Sequence, residues 1–97
     1  MRVVKNKYAV AFGAVLKELR REAELSQDAL AEKADLDRTF VSFLERGERQ
    51  PSLLTIISLA GALGVQPDDI VRQTVERHHR CSPFSAKLNT LEPPTTK

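Results

Sequence analysis

The chain has 97 residues, 41% of them hydrophobic and 29% charged, with a net charge of +2, one cysteine and no tryptophan. That length suits a single small domain with some chain left over and excludes a second domain of ordinary size. A lone cysteine, Cys81, excludes an intramolecular disulfide framework, and no apolar run approaches the ~20 residues of a membrane-spanning helix.

These features, with a basic N-terminus that no long apolar stretch follows, give the expectation of a soluble protein of a reducing, cytoplasmic compartment. The charge is unevenly spread. Residues 1–7 carry +3, residues 72–97 carry +3, and the stretch 8–71 between them carries −4. An anionic partner is therefore favoured by the two ends. Within the central stretch, any site for a polyanion depends on local geometry.

In chain order, residues 8–23 read as a helix, with Phe12, Leu16 and Leu19 recurring at helical spacing and Val15 beside them. Gly13 is costly inside such a helix and points to close packing there. Ser26 is a candidate N-cap for a short helix over Gln27 to Ala34 that buries Leu30, Ala31 and Ala34. Asp35 and Leu36 make a tight connection, and Asp37 is the candidate cap of a third helix over Arg38 to Arg46, with Val41 and Leu44 inward. Gly47 falls where a left-handed residue ends a helix.

Ser52 begins a fourth helix that runs to Leu63 and closes at Gly64, with Leu53, Ile56, Leu59, Ala60 and Leu63 as its apolar side. Leu54 and Ile57 fall on its less buried side, for a dimer contact or for packing on the tail. Pro67 opens a fifth helix to about His79, with Asp68 and Asp69 at its positive end and a Val71–Val75 stripe. Three prolines and little periodicity mark the rest as a polar tail. The resulting division is a basic N-terminal arm (1–7), an all-α domain (8–79) and a tail (80–97).

Two short helices joined by about three residues have the geometry of a helix-turn-helix, which lays its second helix in a DNA major groove. The segments LKELR (16–20), LSQDALAEKADL (25–36), FVSFLERG (40–47) and PSLLTIISLAGALGV (51–65) carry a resemblance to the Cro/repressor-type, lambda-repressor-like helix-turn-helix family over about residues 9–71. The resemblance implies the five-helix fold and double-stranded DNA as partner. It implies base-facing positions at Arg38, Thr39 and Ser42, with Phe43 beside them, and phosphate or supporting roles for Gln27, Asp37, Arg46, Arg49 and Gln50. It also implies a structural pair between Arg20 and Glu45.

The chemistry of the residues agrees. A guanidinium at Arg38 can donate two bonds to a guanine edge, and Thr39 can donate a hydrogen bond or offer its methyl to thymine. The plainer readings, a solvated helix start and an ordinary loop, remain open. The chain departs from the family at Asp35, where glycine is usual, and at Phe43, where a polar side chain is frequent. Phe43 either meets a thymine methyl or packs against Phe40 and buries surface on the tail or a partner.

His78, His79 and Cys81 match no recurrent zinc spacing, and the acids form no catalytic constellation, so neither a metal, a cofactor nor an enzyme is expected. The expectation is a homodimeric transcriptional regulator, of repressor type and bacterial or phage origin, on a palindromic operator with helix 38–46 in the major groove. The alternative is a protein–protein adaptor or antitoxin-like module on the same fold, contacting its partner through Phe43, Phe84 and the tail.

Overall fold

A side-chain oxygen starts each of the first four helices. In the computed structural model, which describes residues 6–80, these helices are α1 (Lys7–Glu22), α2 (Gln27–Ala34), α3 (Arg38–Glu45) and α4 (Leu53–Leu63), followed by α5 (Pro67–Arg80). Asn6, Ser26, Asp37 and Ser52 accept hydrogen bonds from backbone N–H groups of the first turns, which have no partner within the helix. The cap at Asn6 starts α1 one residue earlier than expected. Arg46 is the C-cap of α3 instead of its last residue, and α5 runs on to Arg80.

The four helix ends also share one device. Glu24, Asp35, Gly47 and Gly64 all have positive φ, at 60°, 58°, 74° and 74°. The residue after each donates its N–H back five positions, from Leu25 to Arg20, Leu36 to Ala31, Glu48 to Phe43 and Val65 to Ala60, at 2.8–3.1 Å. This wrap satisfies terminal carbonyls and turns Leu25, Leu36 and Val65 against the core. Asp35 adopts the left-handed conformation of the glycine it replaces, at the small cost typical of aspartate.

Every helix supplies at least one fully buried side chain: Val15 and Leu16, Leu30, Val41 and Leu44, Leu59, and Ile70. α1 packs on α3 and α5, α2 on α3 and α4, and α4 on α5, so α3 rests on two helices with its outer face uncovered. Arg77 of α5 pairs with Glu18 of α1 at 2.9 Å, and the Tyr8 and His78 rings meet at 4.3 Å.

Two apolar assignments are corrected. Leu53 is 72% exposed, because the covered side of the first turn of α4 is taken by Thr55, which is buried, and Ile56, and Leu53 stands outside it with Leu54. On α5 the buried pair is Ile70 and Thr74, not Val71 and Val75. Thr74 tolerates burial because its hydroxyl donates to the Ile70 carbonyl at 2.8 Å. Val71 and Val75 instead line an apolar groove of about 200 Å³ with Tyr8, Phe12 and Ile56. No single helix among the described residues is long and apolar enough to cross a membrane. Most of the basic arm and all of the tail beyond Arg80, with Cys81 and Phe84, lie outside the described residues.

At Gly13 the backbone of α1 runs close against the end of α3. A β-carbon there meets the Glu45 carbonyl oxygen at 2.7 Å and the Leu44 carbonyl oxygen more closely still. These are backbone atoms that cannot swing away. Gly13→Ala is therefore expected to destabilise the domain by about 1–3 kcal/mol despite the better helix propensity of alanine, read as a lower urea midpoint with an unchanged slope.

Candidate nucleic-acid interface

The three-residue turn Asp35–Leu36–Asp37 sets α3 across α2 with one face held and the other open. Val41 and Leu44 are fully buried on the inner face. Arg38 and Thr39 in the first turn are exposed, and Ser42 and Phe43 are half-buried one turn later. Asp37 spends a carboxylate oxygen on the Thr39 N–H at 3.3 Å, which holds the start of the helix. An α-helix presented in this way fits the width of a B-DNA major groove, with its N-terminal side chains leading.

The other end of α3 is clamped from beneath. The Glu45 carboxylate, with 3% of its side chain exposed, accepts from the Arg20 guanidinium through both Nε and Nη2, the latter at 3.0 Å. It accepts a third bond from Gln27 Nε2 at 3.0 Å. Arg20 also donates to the Leu25 carbonyl at 2.9 Å. One guanidinium thus joins α1, the α1–α2 turn and α3. Hydrogen bonding to Glu45 raises the pKa of Arg20 further above its alkaline value, against the opposing effect of burial. The expected Arg20–Glu45 pair is present, and Gln27 belongs to it, with its amide nitrogen committed to Glu45.

Two acidic residues enter the site without having been singled out in the sequence. Asp28 Oδ1, on α2, lies 3.1 Å from Arg38 Nε, with both side chains well exposed. Glu48 lies 3.3 Å from Arg46 Nε. Arg46 further donates to Ser42 Oγ in a short contact, and its guanidinium sits 5.1 Å from the centroid of the Phe43 ring. Arg49 approaches the same ring at 4.8 Å, and Gln50 is exposed beside it in the loop. The Arg46 contacts with Ser42 and Phe43 are ordinary one-turn spacings, whereas those of Asp28, Glu48 and Arg49 bridge different elements or cross the turn at Gly47, where no local sequence signal announces them.

The expected residues therefore fall into two groups, a leading edge of Arg38, Thr39 and Ser42 and a flanking cluster of Phe43, Arg46 and Arg49 that Ser42 joins through Arg46, whereas Gln50 lines the groove of Tyr8, Phe12 and Ile56. Among the described residues, no group of three or more His, Cys, Asp or Glu side chains is placed to hold a metal ion.

Residues 16–70 match the helix-turn-helix family. The chain is 46% identical over 59 residues to the immunity repressor protein of Bacillus phage phi105, covering 61% of this chain and 41% of that protein. The chain thus spans less than half the length of that relative. It is 40% identical over 67 residues to the control protein C.BamHI of Bacillus amyloliquefaciens, covering 68% and 83% of the two chains. The restriction-modification controller protein C.Esp1396I, solved as a tetramer with its natural 35-base-pair operator, superposes with a TM-score of 0.67 at 25% identity, covering 73% of this chain and 93% of that one.

Proposed function

The chain belongs to the helix-turn-helix family of DNA-binding transcriptional regulators, and from that membership we propose that it reads a two-fold symmetric operator as a homodimer with α3 in the major groove. The observation that carries this reading is the first turn of α3. Arg38 and Thr39 stand exposed there while Val41 and Leu44, on the opposite side, are sealed into the core. Arg38 makes the bidentate contact to guanine, and Thr39 and Ser42 contact neighbouring bases. Arg46, Arg49 and Gln50 bind phosphate on the flanking strand, and Asp37 and Gln27 support the two ends of the helix.

Dimerisation follows from size. One domain supplies few base contacts, and a second copy about 34–36 Å away doubles them. The exposed apolar surface of α4, with Leu53, Leu54 and Ile57 at 72%, 73% and 48% exposure, supports a two-fold contact. Repression by occupancy is the mechanism in keeping with the phage immunity repressor relative, and one controller of similar fold, C.Esp1396I, has been solved on its natural operator.

Selection from a random duplex pool at about 150 mM salt tests the reading, with sedimentation of the purified chain alongside. The expected outcome is a sedimenting dimer and an enriched two-fold symmetric site bound at least ~10³-fold better than pool DNA. Enrichment of no site, with weak binding that salt abolishes, overturns it.

A further inference from the structure

Phe43 sits at the edge of the groove-facing surface, yet its ring is engaged by two cations. The guanidiniums of Arg46 and Arg49 lie 5.1 Å and 4.8 Å from the same ring centroid, within the range of cation–π attraction. Arg46 follows Phe43 by one helical turn. Arg49 reaches back to it across the wrap in which Glu48 donates its N–H to the Phe43 carbonyl at 3.0 Å. The positive φ of Gly47 makes that wrap, and the contact therefore depends on how α3 ends. Ser42 and Glu48 hold Arg46 from its other sides. Two like charges would otherwise separate, and a single ring with Glu48 nearby keeps them together.

We propose that Phe43 is a positioning residue that holds Arg46 and Arg49 as a paired phosphate clamp, so that it sets affinity for the DNA backbone and not the choice of base. This rests on the DNA-binding reading above. A ring occupied by two guanidiniums contributes little to distinguishing thymine from its alternatives. Two arginines already ordered lose less side-chain entropy on meeting phosphate than two free ones. The contacts carry no sequence information, so their effect is the same on every duplex.

The test compares wild type, Phe43→Leu and Phe43→Tyr on the selected operator and on a scrambled duplex, over a salt series. Thermal melts confirm that each variant is folded. Phe43→Leu is expected to weaken binding to both duplexes by the same factor, about 3- to 10-fold, as expected for loss of a cation–π contact of moderate strength. The slope of log affinity on log salt is expected to become shallower by about 1.8, the value of one lost phosphate contact in each half of the dimer.

Phe43→Tyr retains a ring and is expected to restore both quantities. In an Arg46→Gln, Arg49→Gln background, Phe43→Leu is expected to have no further effect. Loss of discrimination at one base position with an unchanged salt slope overturns the proposal in favour of base reading. So does a tyrosine variant as weak as the leucine variant, or a leucine variant like wild type. A wild-type chain that prefers no duplex overturns the regulator reading itself, a result distinct from any of these.

Discussion

Replacing Glu45 with alanine is expected to destabilise the domain by about 3–5 kcal/mol, because it leaves the Arg20 guanidinium buried without its counter-charge. The Arg20 side chain is only 11% exposed, and the three donors described at the Glu45 carboxylate lose their acceptor together. Domains of this kind have a total stability of about 5–15 kcal/mol, so a large share of the margin is at stake. The urea midpoint is the measurement.

Glu45→Gln, which keeps an acceptor oxygen for part of the network, is expected to lose less. Substituting both Arg20 and Glu45 by methionine is expected to recover much of the loss, since neither charge is then buried unpaired. Because the folded pKa of Arg20 is raised, its share of the stability is complete at pH values below the ordinary guanidinium pKa. It is lost only as pH rises through the higher folded value. Stability from this arginine is therefore expected to be flat across the neutral range. A midpoint unaffected by Glu45→Ala would show that the network orders the helices without holding the fold.

The second large effect falls on recognition and leaves stability nearly untouched. Arg38→Ala with Thr39→Ala removes exposed side chains, and the Arg38–Asp28 pair is a surface ion pair of about 0–1 kcal/mol. The thermal midpoint is expected to stay within a few degrees of wild type. One bidentate contact to guanine contributes about 1–3 kcal/mol of discrimination, and the proposed dimer makes it twice. Preference for the operator over a scrambled duplex is thus expected to fall about 30-fold or more, at 1.4 kcal/mol for each factor of ten.

Affinity for the scrambled duplex is expected to change far less, because the proposed backbone contacts of Arg46, Arg49 and Gln50 are left in place. Competition titrations at fixed salt separate the two quantities. Equal loss on both duplexes would move Arg38 and Thr39 from base reading to phosphate contact. An unchanged preference would remove them from the interface.

The contrast between these two results reflects how the site is built. Glu45 and Arg38 lie on one eight-residue helix, yet one is sealed beneath it and the other stands in solvent. A short helix cannot hold itself in water, so its orientation comes from the network at its C-terminal end and from Val41 and Leu44 on its inner face. Weakening that end is expected to reduce DNA binding indirectly, whereas weakening the leading edge does so with the fold intact.

Much of this molecule is legible in its residues, and the legible part is local. Ser26, Asp37 and Ser52 mark helix starts because a cap bonds an N–H two or three residues ahead. Gly47 and Gly64 mark helix ends because positive φ suits glycine. Those signals, with the periodicity of Leu30, Val41, Leu44 and Leu59 and the proline at Pro67, marked out the helices and the helix-turn-helix, while the candidate reading edge came with the family resemblance that their order carries.

Signals that require two elements to meet were decided by the tertiary structure alone. Leu53 reads as core by spacing and is exposed, because packing covers the side of that first turn that carries Thr55 and Ile56. Ile70 and Thr74 displace Val71 and Val75 from the core because the angle of α5 against α1 and α4 selects the buried stripe. A threonine bonded to its own helix can occupy it. Asp28 reaches Arg38, Gln27 turns to Glu45, and Phe43 gathers two arginines only once α2, α3 and the Gly47 turn have been brought together. The physical reason is range. Caps and periodicity act within one turn of helix, whereas burial, ion pairing and ring contacts depend on distances that packing sets.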